Sequence, residues 1–150
     1  FFYFDVPHAI QVHDFIIRES GGSPGENNLS LLASPLEHIQ NDLYYPNVED
    51  KLTHLVYSIN KNHAFTDGNK RSSIVLGAYF LELNGYNHLT AAFIREMENM
   101  TVWLAAGALG KELLLEIITS IIYQDDYPES LKLRIAMVAM NFNNNTEDAF

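Results

Sequence analysis

Apolar residues recur at helical spacing along most of this chain, and no stretch shows the sustained alternation that is typical of a half-buried strand. The clearest example is residues 48–61. Its apolar residues stand three and four positions apart, at Val48, Leu52, Leu55, Val56 and Ile59. The charged residues between them are expected to face solvent, and they are Glu49, Asp50, Lys51 and Lys61. The segment is therefore predicted to be an amphipathic helix.

Residues that cap or break helices predict two further helices before residue 48. The signals are Asp5 as the first cap, Pro7 in the first turn, Gly21-Gly22 as the stop, Asn28 as the second cap and Leu29 as its first helical residue. The first helix is predicted to turn Ile10, Phe15, Ile16 and Ile17 inward. Pro35 should distort the second helix because proline lacks a backbone donor. Residues 41–47 are predicted to be irregular or to form a small β-hairpin flap.

The second half of the chain also has a helical pattern. A helix over residues 70–84 should end at Gly85, with an inward face formed by Ile74, Val75, Ala78, Tyr79 and Leu83. Further helices are predicted over about residues 90–106, over residues 113–123 and from residue 128 onward. The polar residues 141–148 are expected to fray. The predicted fold is all-α.

Composition limits the domain organisation and the partners. A chain of 150 residues with 47% hydrophobic composition suits one domain, which we place at residues 1–140 and follow with a polar tail at 141–150. Nine Lys plus Arg stand against 19 Asp plus Glu, so the broad basic surface that binds nucleic acid is not expected. The absence of cysteine fits the cytoplasm, and no apolar run has a membrane-spanning length.

Residues 63–71 contain the candidate chemistry. They read His-Ala-Phe-Thr-Asp-Gly-Asn-Lys-Arg, which combines an imidazole, a carboxylate, a turn and two adjacent cations. The stretch joins the two strongest predicted helices and ends on the N-terminus of the second, where free N–H groups and the helix dipole favour anions. His63 is a candidate base in this setting. The spacing therefore predicts a phosphate site.

The other histidines have a simpler interpretation. A histidine near a helix end more often packs or caps than catalyses, and this applies to His8, His13, His38, His54 and His88. Phe65 is predicted to be a core anchor that holds the loop. His13-Asp14 is the dipeptide of metal-dependent HD-class phosphohydrolases. His8 lies too close upstream to complete that metal site, so this alternative is disfavoured.

The stretch resembles the signature of the Fic/Doc family, which is His-x-Phe-x-Asp/Glu-Gly-Asn followed by Gly-Arg in the Fic branch or Lys-Arg in the death-on-curing (Doc) branch. This chain has Lys70-Arg71 and so resembles the Doc branch. Gly21-Gly22, the segment 28–32 and the segment 83–86 extend the similarity over about residues 8–86. The resemblance implies a single-domain, all-α Fic/Doc-like helical bundle.

The resemblance also implies roles for the residues of this loop. His63 would be the general base for a Ser, Thr or Tyr hydroxyl of a target protein, and Asp67 would hold Mg²⁺. Gly68 and Asn69 would form the turn that binds the phosphates of ATP, while Lys70 and Arg71 would stabilise negative charge during transfer. Arg71 would thus act in both catalysis and nucleotide binding.

Three functions remain open at this point. Lys70 in place of the glycine of the Fic branch favours Doc-like transfer of the γ-phosphate over transfer of AMP. The third alternative is a non-catalytic nucleotide- or protein-binding module with the same fold. Ile74 replaces the second Arg of Fic-branch adenylyltransferases, and no segment fits their inhibitory helix motif. A toxin of the Doc type would instead be inhibited in trans by an antitoxin.

Overall fold

The computed structural model describes the backbone of residues 1–148 and the side chains of residues 1–145. The described residues form seven α-helices, one short 3₁₀ helix and no strand, which confirms the all-α prediction. The helices are α1 (Val6–Ser20), α2 (Ser30–His38), α3 (Val48–Lys61), α4 (Asn69–Leu83), α5 (Thr90–Ala105), α6 (Lys111–Tyr123) and α7 (Glu129–Asp148), with the 3₁₀ helix at Asn87–Leu89. No helix in this part of the chain has both the length and the apolar composition needed to cross a membrane.

Helix α3 is the centre of the fold and begins and ends where the pattern predicts. It packs against α2, α4, α5 and α6, so apolar and polar residues on all its sides are buried. The predicted exposure of Lys51 is therefore wrong, because this side chain is fully buried. Its ammonium group donates to Ile39 O (2.5 Å) and to Asp42 Oδ1 (2.7 Å), which compensates for the loss of water.

Two inward faces differ from the prediction. Val75 and Phe15 are 41% and 55% exposed, whereas α4 buries Leu76, Phe80 and Leu81 completely. The reason in α4 is a close approach at Gly77, where an added Cβ would lie 2.8 Å from Phe93 Cζ. Gly77 thus lies against Val56 of α3 and Phe93 of α5, and a glycine gives no hydrophobic signal from which periodicity could identify this side as buried. In α1, the buried side contains Ala9, His13 and Ile16.

Pro35 does not restart α2, which is one helix over Ser30–His38. It lies inside the helix and leaves Leu31 O without the usual donor four residues later. Asn62 Nδ2 donates to Leu31 O instead (3.3 Å), so a side chain from the end of α3 replaces the missing bond. This same Asn62 immediately precedes His63, and the contact ties α2 to the start of the candidate loop.

The remaining predictions concern two segments. Residues 41–47 form turns, not a β-hairpin flap, because Asn41 Oδ1 accepts from the N–H groups of Leu43 and Tyr44 at 3.0 and 3.4 Å. The predicted fraying of residues 141–148 is not seen, since α7 is helical through Asp148. Residues 149–150 of the predicted tail lie outside the described residues. The division into a domain at 1–140 and a tail stays a prediction.

Candidate active site

His63 occupies an unusual position at the end of α3. Its backbone φ is +53°, which makes it the only residue other than glycine with positive φ in the described part of the chain. The side chain is exposed, and its imidazole has no hydrogen-bond partner among the described residues. A residue with a Cβ adopts this conformation at a steric cost, so the surrounding structure must hold it there.

Buried contacts of Asn69, Phe65 and His13 hold the loop between α3 and α4, and we call these three residues the brace. Asn69 Oδ1 accepts from Phe65 N (3.2 Å), and Asn69 Nδ2 donates to Phe65 O (3.0 Å). Phe65 is fully buried and stacks on His13 at a ring-centroid distance of 3.8 Å, which confirms it as a core anchor. Asn69 was predicted to bind nucleotide phosphates. Its side chain points into the loop and bonds Phe65, so its main-chain N–H is the part that belongs to the N-terminus of α4.

His13 is a structural residue of this brace. Its ring is buried, and Nε2 donates to the backbone O of Asp67 (2.6 Å), since a carbonyl oxygen can only accept. No group of three or more metal-ligating side chains occurs in the described residues, and the HD-class alternative finds no support. The four other histidines that were predicted to pack or cap also contact aromatic or imidazole rings, namely His8, His38, His54 and His88.

The carboxylate of Asp67 is half-exposed and held by backbone donors. Asp67 Oδ2 accepts from Ser23 N (3.0 Å), and Oδ1 accepts from Gly68 N (2.7 Å). Arg71 Nη2 lies 3.9 Å from Oδ1. The bonds from Ser23 and Gly68, together with the charge of Arg71, hold the pKa of Asp67 below its ordinary value. The Asp67 carboxylate is therefore ionised at neutral pH.

Arg71 connects this carboxylate to the end of α1. Its Nη1 donates to Ser20 Oγ and to Gly21 O, both at 2.7 Å. Gly22 lies directly above the pair, where an added Cβ would come 2.7 Å from Asp67 Oδ2 and 2.9 Å from Arg71 Nη2. Residues 20–23 thus belong to the site. The sequence interpretation used Gly21-Gly22 as a helix stop and as part of the family resemblance, but it assigned no residue of 20–23 to the site.

The N-terminus of α4 completes the site. Gly68 precedes the helix with φ +79°, and the first N–H groups of α4 have no intrahelical acceptor. Lys70 is exposed at this end of the helix. One cavity of about 240 Å³ contacts all the sequence-predicted site residues together, and it is lined by Asn60, His63, Thr66, Asp67, Gly68, Asn69, Lys70, Arg71 and Ala105. The structure therefore brings the predicted residues to one place.

Asn60 is a further lining residue that the sequence interpretation missed. It is 1% exposed, and its Nδ2 donates to Thr101 O of α5 (3.0 Å). Its Oδ1 has no hydrogen-bond partner among the described residues. In the sequence, Asn60 is only one more polar residue on a helix that was expected to have a solvent-facing side, so no pattern singled it out.

The fold and the site define an all-helical protein in which the loop between two core helices, the N-terminus of the second helix and an exposed imidazole line one cavity. The chain belongs to the Fic/DOC family, whose model matches residues 3–81 and so spans α1 to α3 and most of α4. A comparison with curated proteins found no match. Members of this family are typically transferases, which suggests that the chain modifies other proteins after translation.

Proposed function

We propose that this protein is an ATP- and Mg²⁺-dependent transferase that modifies a Ser, Thr or Tyr hydroxyl of a target protein. One observation carries the proposal. His63 presents an exposed imidazole in the same cavity as the Asp67 carboxylate, the cations Lys70 and Arg71 and the N-terminus of α4. A base, an anionic metal ligand and donors for phosphate oxygens are the parts that phosphoryl and nucleotidyl transfer require.

His63 is the proposed general base. Because no described residue occupies its ring nitrogens, a neutral imidazole is available to accept the proton of a target hydroxyl. The hydroxyl oxygen then forms a bond to phosphorus, and the bond from that phosphorus to its bridging oxygen breaks. The positive end of α4 and the two cations favour the negative charge on the phosphoryl oxygens.

Asp67 is the proposed Mg²⁺ ligand, and its surroundings fit this ion. It is ionised and half-exposed, and its two short bonds from N–H groups leave lone pairs on both oxygens. Mg²⁺ commonly binds through one or two protein carboxylates, with water and nucleotide phosphates as its other ligands. When bound, the ion would neutralise charge on the phosphates of ATP.

Doc-like transfer of the γ-phosphate is the favoured reaction. In that reaction the target hydroxyl attacks the γ-phosphorus and ADP leaves. Lys70 supports it, because a cationic side chain stands at the edge of the cavity where the Fic branch has glycine. Lys70 is also exposed, and none of the hydrogen bonds or ion pairs found in the structure holds its side chain. If this side chain points to solvent and stays out of the cavity, the alternative applies, in which the α-phosphorus is attacked, AMP is transferred and pyrophosphate leaves.

The partners follow from the same proposal. A toxin-type kinase that acts on a cytoplasmic protein needs restraint, and we propose that an antitoxin supplies it in trans. A cavity that binds nucleotide without turnover would instead favour the non-catalytic module.

Transfer from doubly labelled ATP distinguishes the reactions. The protein is incubated with cell lysate, Mg²⁺ and ATP that carries different labels at the α- and γ-phosphorus, and the labelled target is then weighed by intact-mass measurement. We expect the γ-label and the mass of one phosphate on the target. The α-label with the mass of AMP would replace the kinase proposal by the adenylyltransferase. If neither label reaches a target although the protein binds nucleotide, the non-catalytic binding module is the remaining interpretation.

A further inference from the structure

The left-handed backbone of His63 requires a cause outside the residue itself. His63 does not have the conformational freedom of glycine, and its exposed side chain takes part in none of the hydrogen bonds or ring contacts found among the described residues. The restraint must therefore act on its main chain. The orientation of the imidazole depends on this restraint, because φ sets the direction in which the Cα–Cβ bond leaves the backbone, and χ1 rotates the ring about that bond.

Asn27 supplies that restraint from the segment between α1 and α2. Its Nδ2 donates to His63 O (3.1 Å) and to Phe65 O (3.2 Å), so one amide group bridges the two carbonyls on either side of Ala64. The amide is oriented by Thr66 Oγ1, which donates to Asn27 Oδ1 (3.4 Å). The side chain of Asn27 thus sets the distance between the carbonyls that flank the turn after His63.

The main chain of the same segment holds the loop independently of this side chain. Asn27 N and Asn28 N both donate to Ala64 O, at 2.8 and 3.2 Å, and Thr66 N donates to Gly25 O (3.0 Å). These bonds persist when residue 27 is substituted. Removal of the Asn27 amide should therefore leave the loop attached to its neighbour and change only how the backbone of His63 is held.

We propose that Asn27 is a positioning residue for His63, which fixes the backbone of the base by bridging His63 O and Phe65 O. The proposal rests on the proposed function, in which His63 takes the proton of a target hydroxyl. A positioning role predicts that Asn27 affects the chemical step and only through His63. It also predicts a backbone change at residue 63 that can be observed without any activity.

The first test compares Asn27→Ala with Asn28→Ala. Asn28 is an equally exposed neighbour whose side chain bonds Ser30 of α2, not the candidate loop, which makes it a matched control. We expect Asn27→Ala to lower kcat about 10- to 100-fold with little change in the KM for ATP, as a misplaced catalytic group does. Asn28→Ala should keep the wild-type kcat. Equal losses in both variants would overturn the proposal.

The second test asks whether Asn27 acts through the imidazole. In a His63→Gly background, added imidazole supplies the base from solution, so the position of the backbone no longer matters. We expect Asn27→Ala to have no effect on the imidazole-rescued rate of His63→Gly, although it lowers the rate of the His63 protein. An equal loss in both backgrounds would show that Asn27 supports the site as a whole, and the positioning role would be rejected.

The third measurement separates this proposal from the proposed function. Backbone ¹³C chemical shifts report φ at residue 63 whether or not the protein transfers anything. We expect positive φ in the wild type and in Asn28→Ala, and a loss of that signature in Asn27→Ala. Unchanged shifts in Asn27→Ala would contradict the proposal. If no transfer occurs but the shifts change as expected, the proposed function fails while the backbone role of Asn27 stands.

Discussion

At the scale of single residues, the carboxylate of Asp67 is held in its charged form by its surroundings. Two backbone N–H groups and Arg71 stabilise its charged form, and they lower its pKa without filling its lone pairs. In the absence of Mg²⁺, Arg71 serves as its nearest positive charge, at 3.9 Å. Because Asp67 and Arg71 contact each other, a substitution of either residue also changes the surroundings of the other.

Asp67→Asn tests the metal role. The substitution keeps the size and one acceptor oxygen but removes the charge that Mg²⁺ prefers. We expect transfer activity to fall by at least one to two powers of ten, since loss of a charge-assisted contact in a site costs about 1.5–3 kcal/mol. A Mg²⁺ titration of activity measures the effect, with Glu19→Gln as the control because Glu19 is an exposed carboxylate paired with Arg18. Wild-type Mg²⁺ dependence in Asp67→Asn would reject the assigned ligand.

The sequence predicted most of the residues that line the candidate cavity, but not what each side chain contacts. Joint spacing identified His63, Asp67, Gly68, Lys70 and Arg71, because they are contiguous with a helix N-terminus. It placed Asn69 with the ligand, whereas the side chain braces Phe65. Whether a polar side chain turns toward a ligand or toward its own loop depends on atoms that are distant in sequence. The local sequence pattern does not predict where those atoms lie.

At the scale of elements, the segment after α1 is built into the site through Gly22. Gly22 has φ +121°, and a Cβ there would collide with both Asp67 and Arg71. Gly21 also has positive φ (+88°), yet an added Cβ would meet nothing within 4 Å. Both glycines therefore have positive φ, which residues with a Cβ rarely adopt, but only Gly22 is in close contact with the site.

Gly22→Ala and Gly21→Ala form a matched pair. Both substitutions should destabilise the fold by about 1 kcal/mol through backbone strain. Only Gly22→Ala should also displace the Asp67 carboxylate, so we expect it to weaken Mg²⁺-dependent transfer by tenfold or more relative to Gly21→Ala, the result of a misplacement of about 1 Å. Transfer rates and denaturant unfolding of both variants provide the comparison. Equal activities would show that the close approach of Gly22 to Asp67 and Arg71 does not matter for transfer.

Element boundaries were more predictable than element faces. Helix α3 occupies residues 48–61 as the periodicity indicates, and Asp5 caps α1 by accepting from His8 N. The faces of α4 were less predictable, because Gly77 allows a close approach that depends on Phe93 of another helix. Pro35 is tolerated in α2 because Asn62 satisfies the free carbonyl. Each of these differences from the prediction depends on a residue that is distant in sequence and close in the fold.

At the scale of the whole molecule, His54 joins three parts of the bundle around α3. Its Nδ1 accepts from Lys111 Nζ of α6 (2.8 Å), and the hydroxyl oxygen of Tyr45 lies 3.2 Å from the same nitrogen. Its Nε2 bonds His38 Nδ1 of α2 (3.1 Å). Burial, followed by the charge of Lys111, lowers the pKa of His54 from 6.5 to about 4. The imidazole is therefore neutral in the folded protein at neutral pH.

This neutral imidazole predicts acid lability. The unfolded chain takes up the His54 proton near pH 6.5 and the folded chain only near pH 4, so the unfolded state binds more protons in between. The free energy of unfolding should fall by roughly 2–3 kcal/mol between these limits because of this residue. Urea unfolding of the wild type and of His54→Gln from pH 7.5 to pH 4 measures it. We expect the variant to lack this loss; parallel curves would contradict the prediction.

The central claim is that the loop between α3 and α4 is a transferase active site with His63 as its base. The most direct measurement compares transfer of label from ATP to protein in a lysate by the wild type, by His63→Ala and by His88→Ala, a histidine exposed beyond the far end of α4. We predict that His63→Ala lowers transfer about 10²- to 10⁴-fold with unchanged unfolding, and that His88→Ala has wild-type activity. Equal transfer by all three proteins would contradict the account.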